Sequence, residues 1–172
     1  YLKKSFFSLL ALFAFQFSPF SFQLKAETVP ATDSRITFVG RSVIENDSYR
    51  FDFPSTYFRV AFSGKKLSMR VTDTKRNYYA VFVNTPTSSE PTRVVEVKGT
   101  DTIIDLVLPA DLRSLKTKEY QVVIQRRTEA NCGTTTVKEF ITDGKFLQAE
   151  PLKTRQIEFI GDSYTCGYGI DA

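Results

Sequence analysis

The sequence between residues 36 and 141 is a succession of short runs in which apolar and polar residues alternate, and turn-forming residues interrupt it at roughly ten-residue intervals. Successive side chains of a strand point to opposite faces, so each run offers one apolar face. The runs are Tyr57–Phe62, Leu67–Val71, Tyr78–Val83, Arg93–Lys98, Thr102–Leu108, Glu119–Gln125 and Thr135–Ile141. Because two apolar faces must cover each other to exclude water, this pattern predicts an all-β jelly-roll sandwich.

The segments between these runs have the composition of turns and loops. Ser63-Gly64-Lys65 separates the first two runs, which predicts that those two runs form a hairpin. Pro86–Pro91, "PTSSEP", is predicted as a loop, and Asp143-Gly144 as a tight turn. Pro109–Thr117 could hold one short helical turn, which is too short to change the fold class.

The composition is that of a folded domain, and its basic residues do not form a surface that would bind a polyanion. Of the 172 residues, 42% are hydrophobic, which suffices for a core, and the net charge is +4. The 23 basic residues are scattered among 19 acidic ones, and the tightest basic pairs are Lys65–Lys66 and Arg126–Arg127. Both pairs are predicted to be solvated surface. Because no basic stripe forms, nucleic acid is not expected as a partner.

Residues 1–26 are predicted to be a signal peptide. Lys3 and Lys4 form a basic start, Phe6–Phe15 is apolar, and Ala26 offers a small residue for cleavage. The alternative is a membrane-spanning helix, which needs about 20 continuous apolar residues. Pro19 and neighbouring polar residues interrupt the run. The mature protein is therefore expected to be secreted or periplasmic, with no membrane contact after cleavage.

The two cysteines, Cys132 and Cys166, allow one disulfide in an exported protein. Nothing in the sequence requires that bridge, and two free or buried thiols are the preferred prediction. The sequence shows no cluster of metal-ligating residues, so neither a metal nor another cofactor is predicted.

The alternating pattern ends near residue 148, which gives a predicted β domain over residues 33–148. Residues 149–156 are polar, contain Pro151 and are predicted to be a linker. The next block, "IEFIGDSYTCGYG" at Ile157–Gly169, has the pattern of a strand, a turn and the start of a helix. Residues 157–172 are therefore expected to open a second, α/β domain, which so few residues cannot fold alone.

The turn in this block, Gly161-Asp162-Ser163, is a candidate nucleophile site. A serine at a sharp strand-to-helix turn presents its hydroxyl away from the backbone, and its own N–H faces a developing oxyanion. Gly161 and Asp162 are expected to shape this elbow. Gly-Asp-Ser is also a common turn tripeptide, so a purely structural turn stays open at this point.

The block "RQIEFIGDSYTCGYG" resembles the first block of SGNH (GDSL-type) hydrolases, in the form found in carbohydrate esterase family 2. Upstream, "VGRSVIENDSYRFDFPSTYFRVAFSGKKL", "NYYAVFVN" and "RRTEA" resemble the N-terminal jelly-roll domain of that family, in the same order. The resemblance implies a β-sandwich followed by an SGNH domain, and an enzyme that deacetylates plant cell-wall polysaccharides such as xylan and glucomannan. It also implies that Ser163 is the nucleophile and supplies one oxyanion N–H.

A serine hydroxyl needs a base within hydrogen-bond reach, and the sequence contains no His. In the family that the blocks resemble, the catalytic His and the remaining oxyanion donors lie in later blocks, which these residues do not include. Lys153 is the alternative base, but nothing in the sequence fixes it near Ser163. The 172 residues alone are therefore expected not to hydrolyse esters.

Three other functions compatible with the sequence stay open. A jelly roll can bind polysaccharides through exposed aromatic side chains, and Tyr49, Tyr57, Tyr78 and Tyr79 are candidates; core and cross-strand packing is the preferred explanation for all four. The esterase chemistry could also serve a lipid or another acyl ester. Finally, the protein could be a pseudoenzyme.

Overall fold

The computed structural model describes residues 26–155, 157 and 160–164, and this part of the chain is almost entirely β. The described residues form ten strands and one 3₁₀ turn at Ala130–Cys132. The strands are β1 (Glu27–Pro30), β2 (Thr37–Val39), β3 (Val43–Glu45), β4 (Ser48–Phe51), β5 (Tyr57–Ser63), β6 (Leu67–Val83), β7 (Arg93–Val107), β8 (Glu119–Arg126), β9 (Thr135–Thr142) and β10 (Lys145–Leu147). The all-β prediction is therefore confirmed.

Hydrogen bonds connect these strands into one antiparallel sheet in the order β10-β5-β8-β6-β9-β4-β3, with β1 on β9, β2 on β5 and β7 on β6. Two long strands organise it: β6 has 17 residues and β7 has 15. Each contains two of the predicted runs. Bulges between Val71 and Arg76 bend β6 against β7, and the sheet curls into a half-barrel around a single apolar core.

The inward face of β5 shows how the alternation builds this core. Phe58, Val60 and Phe62 are buried, whereas the flanking Tyr57 and Arg59 are half-exposed on the other face. Burying each large apolar side chain stabilises the fold by about 1.5–3 kcal/mol. Because strand residues alternate, the same period that fills the core leaves the opposite face of β5 available for polar side chains.

The predicted hairpin between β5 and β6 is wrong, because β8 lies between these two strands. The turn that leaves β5 is held by another turn. The amides of Lys65 and Lys66 donate to Oδ1 of Asp143 at 2.7 and 3.0 Å. Gly144 approaches the Ser63 carbonyl so closely that an added Cβ would lie 1.7 Å from its oxygen. The two turns therefore lie against each other at the point where the chain leaves β5 and enters β6 beside β9.

The loop at Pro86–Pro91 and the turn at Asp143-Gly144 are confirmed. Pro109–Thr117 forms turns, with hydrogen bonds such as Leu115 N to Leu112 O, and no helix.

Lys65 and Lys66 are exposed as predicted, but the prediction that Arg126 is solvated is wrong. Arg126 is 1% exposed, because it occupies an inward position of β8. Its guanidinium donates to the carbonyls of Thr128, Glu129 and Gly133 at 2.7–3.0 Å. A buried cation is tolerated there because fixed carbonyl dipoles replace its water shell.

Several predictions fall on residues outside the described part of the chain. They are the signal peptide up to residue 25, Glu158 and Phe159 of the predicted strand, Cys166, and the predicted helix start after Tyr164. Cys132 carries a free thiol. Among the described residues, we find no helix with the length and apolar character to cross a membrane.

Candidate functional site

Gly161, Asp162 and Ser163 form an exposed turn near the end of the described residues. The Asp162 side chain closes it, because its Oδ1 accepts a hydrogen bond from the Tyr164 amide at 3.0 Å. The flanking apolar side chains lie in solvent: Ile160 is 92% exposed and Tyr164 is 93% exposed. Ser163 is exposed as well, so the turn that the Asp162 carboxylate closes is open to solvent.

The segment leading to this turn is fastened to the β domain. After β10, Ala149 is buried, and its amide donates to the Arg35 carbonyl at 3.0 Å. Arg59 donates to the Pro151 carbonyl at 3.2 Å and pairs with the Glu150 carboxylate at 3.2 Å. The first residues of the predicted linker therefore lie on the sheet, and the chain departs toward Ser163 from a defined position.

A second set of contacts connects the first strand to the strand that leads into this junction. Arg35 forms a two-pronged pair with Asp33 and also reaches Glu27, with all three N···O distances at 2.9 Å. The second oxygen of Glu27 accepts the Phe146 amide at 2.7 Å. Together these contacts join the start of the sheet to β10.

We expect this cluster to make stability pH-dependent. The Phe146 amide, followed by Arg35, holds the pKa of Glu27 below its ordinary 4.5, and Arg35 holds that of Asp33 below 3.8. A carboxyl whose pKa is lowered by folding stabilises the fold at pH values above its ordinary pKa. This stabilisation is lost as the pH falls through the lower pKa of the folded state. Arg35→Met should destabilise the protein by about 1 kcal/mol at pH 7, and by progressively less below pH 4.5.

Urea unfolding followed by far-UV circular dichroism at pH 7 and pH 3 measures this difference. Arg113→Met, at an exposed arginine in the turns after β7, is the matched control and should change stability equally little at both pH values. An Arg35→Met deficit that is the same at pH 3 as at pH 7 would contradict the assignment.

An open groove of about 850 Å³ lies on the outer face of β5 and β8, beside the junction. Tyr57, Arg59, Gln121, Val123 and Gln125 supply its floor from alternate positions of the two strands. Its rim is formed by residues 84–87 of the loop after β6, by Thr117 and Glu119, and by Glu150 and Lys153 of the junction. Lys153, the alternative base, thus lies in the wall of this groove.

The four candidate tyrosines have different environments. Tyr79 is 1% exposed, burial raises the pKa of its phenol, and its hydroxyl donates to Thr135 at 2.8 Å. Tyr49 stacks on Phe38 with ring centroids 4.3 Å apart. Packing therefore explains these two, as predicted. Tyr78 is half-buried on β6 and outside the groove, so Tyr57 is the one candidate of the four that lines the groove.

The sequence identified Tyr57 as a candidate binding residue, but it did not indicate the groove around this residue. The floor residues of β8, two glutamines with Val123 between them, occupy every second position, opposite the buried face of that strand. This alternation was available, but the sequence does not say that β5 and β8 are neighbours. In the described part of the chain, no group of three His, Cys, Asp or Glu side chains is arranged to hold a metal ion.

Comparison with known proteins finds relatives of this chain in sequence and in structure. The model of the carbohydrate esterase 2 N-terminal family matches residues 38–151. An acetylxylan esterase / glucomannan deacetylase of Cellvibrio japonicus is 29% identical over 136 residues, which cover 76% of this chain and 34% of that protein.

Two solved structures give the same picture. A family two carbohydrate esterase from Cellvibrio japonicus superposes with a TM-score of 0.68 at 27% identity, over 86% of this chain and 42% of that one. A family two carbohydrate esterase from Clostridium thermocellum, in complex with cellohexaose, gives 0.65 at 27% identity, over 78% and 39%. The chain thus spans about a third of the curated relative and about two-fifths of each structure.

Proposed function

The chain belongs to the carbohydrate esterase 2 family, whose N-terminal domain it contains, and we propose that it is part of an exported serine esterase that removes acetyl groups from plant cell-wall polysaccharides such as xylan and glucomannan. In this proposal residues 1–26 direct export. Residues 157–172 begin an SGNH hydrolase domain with a strand, a turn and a helix.

One observation carries the proposal: the β domain of a carbohydrate esterase is followed, after a fastened junction, by an exposed Gly161-Asp162-Ser163 turn. The named activity of the curated relative supports acetylated xylan and glucomannan as substrates. The cellohexaose bound to the Clostridium thermocellum structure supports a polysaccharide over a lipid ester.

The proposed chemistry is acyl transfer in two steps. The Ser163 hydroxyl attacks the acetyl carbonyl carbon while a base takes its proton, and the Ser163 N–H donates to the oxyanion. The carbon–oxygen bond to the sugar then breaks, and the sugar alcohol leaves with the proton. Water next attacks the acetyl-serine, which releases acetate and restores the hydroxyl. Because the 172 residues contain no His, a histidine base must come from other residues.

The first test compares two kinds of ester substrate, and it compares the whole enzyme with the 172 residues alone. The whole enzyme should release acetate from acetylated xylan and glucomannan at least about tenfold faster, in kcat/KM, than it releases butyrate from tributyrin. The 172 residues alone, which lack the base, should release acetate no faster than a buffer blank. Faster turnover of tributyrin would favour a lipid esterase, and Ser163-dependent turnover by the 172 residues would refute the need for an external base.

A further inference from the structure

We propose that the groove on β5 and β8 binds a neutral polysaccharide chain, at a site separate from the Ser163 turn. The proposal draws on the proposed function only for the polysaccharides chosen as probes. The side chains, charges and dimensions of the groove support it.

The floor of the groove combines the two kinds of group that a sugar requires. A pyranose ring has an apolar C–H face and a rim of hydroxyls, so an aromatic ring and side-chain amides complement it. Tyr57 supplies the aromatic ring, and Gln125 lies directly opposite it on the neighbouring strand. The Tyr57 hydroxyl and the Gln125 amide have no hydrogen-bond partner among the described residues, so both remain available for a ligand.

The charges of the groove favour a neutral ligand. Arg59 and Lys153 are balanced by Glu119 and Glu150, and Arg59 already pairs with Glu150 at 3.2 Å. A groove with two cations and two anions attracts neither a polyanion nor a polycation over long distances. The lining otherwise consists mainly of amides and hydroxyls, which exchange hydrogen bonds with sugar hydroxyls without a change of charge.

The dimensions of the groove favour a chain over a single sugar. Gln121 and Gln125 lie on the same face of β8 four residues apart, which is roughly 13 Å at the rise of a β-strand. Both residues lie on β8, which pairs with β5 along the whole of that strand, and the Gln121 backbone amide donates to Asn84 Oδ1 at 2.7 Å. The floor is therefore preformed, so little ordering is needed when a chain binds.

The test measures binding of the 172-residue chain to soluble, unacetylated glucomannan and xylan by isothermal titration calorimetry, with polygalacturonate as the anionic comparison. We expect binding to a neutral polysaccharide and none to polygalacturonate. Tyr57→Ala and Gln125→Leu should each weaken binding by about tenfold. Tyr78→Ala is the matched control, since this tyrosine is half-buried on a strand but outside the groove, and it should bind like wild type.

All variants must first show the wild-type far-UV circular dichroism spectrum. The proposal fails if the folded wild-type chain binds neither neutral polysaccharide, or if Tyr57→Ala and Gln125→Leu both bind as tightly as wild type. Ser163→Ala separates the two sites, because it should leave binding unchanged. Groove binding without acetate release by the whole enzyme would refute only the esterase proposal, and acetate release without groove binding would refute only this one.

Discussion

Replacing Ser163 by alanine in the whole enzyme is expected to lower kcat on acetylated xylan by a factor on the order of a million. The expectation follows from the proposed covalent role of the hydroxyl: without a nucleophile no acetyl-enzyme forms, and the oxyanion donors and base have nothing to assist. KM should change little, because a serine hydroxyl contributes to the transition state more than to the binding of the polysaccharide.

The measurement is the release of acetate over time, with enzyme at concentrations high enough to detect a millionth of the wild-type rate. Ser88→Ala is the matched control, since Ser88 is also exposed but lies in the loop after β6, and it should keep the full rate. If Ser163→Ala retains more than a tenth of wild-type kcat, Ser163 is not the nucleophile and the turn is only structural.

The proposed nucleophile turn is the part of the candidate site that the sequence indicates most directly. Gly161-Asp162-Ser163 is local, and the residues that shape a turn are adjacent in the chain. The groove was not visible in this way, because Tyr57 and Gln125 meet only through the pairing of β5 with β8. Local patterns identify turns and faces, whereas a site assembled from distant strands requires the order of the sheet.

The same limit explains the errors in the predicted fold. Alternation correctly identified which side chains of β5 enter the core, since this depends only on the two-residue period of a strand. It could not show that β5 pairs with β8 and not with β6, because strands pair through backbone N–H and C=O groups that nearly every residue carries. The contact between Gly144 and Ser63, where the chain leaves β5, joins segments far apart in the sequence.

The wrong prediction that Arg126 is solvated is of a different kind, because the sequence contained the information to avoid it. Tyr120, Val122, Ile124 and Arg126 occupy alternate positions of β8 and share its buried face. Because neighbouring residues of a strand face opposite ways, Arg126 and Arg127 do not form one basic surface pair. A charge on an inward position is rare, and it indicates a polar network that must be satisfied.

The network around Arg126 connects β8 to β6 and β9. Its Nη1 donates to the Thr135 hydroxyl at 3.1 Å, and that hydroxyl donates to Oδ2 of the buried Asp73 at 2.6 Å. Asn77 donates to both Asp73 oxygens, at 2.9 and 2.8 Å, and also to the Cys132 carbonyl. Among the described residues, no buried side-chain nitrogen or oxygen lacks a partner, so each group of the network depends on the others.

The loop that this network holds has little freedom to adjust. Gly133 has a φ of 113°, and an added Cβ would lie 2.9 Å from the Thr74 hydroxyl oxygen and 3.1 Å from the Lys75 amide. Arg126 accordingly donates to carbonyls whose positions are fixed by the backbone around them. Removing the guanidinium would leave the Thr128 and Gly133 carbonyls without their charged donor, whereas the Glu129 carbonyl would keep its bond from the Cys132 amide at 3.0 Å.

Arg126→Met is therefore expected to destabilise the protein by about 3–5 kcal/mol, because it takes the charged donor from buried carbonyls and removes the cation that the Thr135 hydroxyl links to the buried Asp73. This is a large part of the roughly 5–15 kcal/mol by which domains are stable. The free energy of unfolding in urea at pH 7 measures it. Asp73→Asn in the Arg126→Met background should recover part of the loss, since it removes the remaining buried charge.

Arg76→Met is the matched control, because Arg76 lies on β6 in an exposed pair with Glu96, and the change should shift stability by less than about 1 kcal/mol. Arg126→Lys separates charge from geometry: an ammonium keeps the charge but cannot reach three carbonyls and a hydroxyl together, so it should remain well below wild type. If Arg126→Met is no more harmful than Arg76→Met, the buried network does not hold the loop, and the packing of β8 alone accounts for its position.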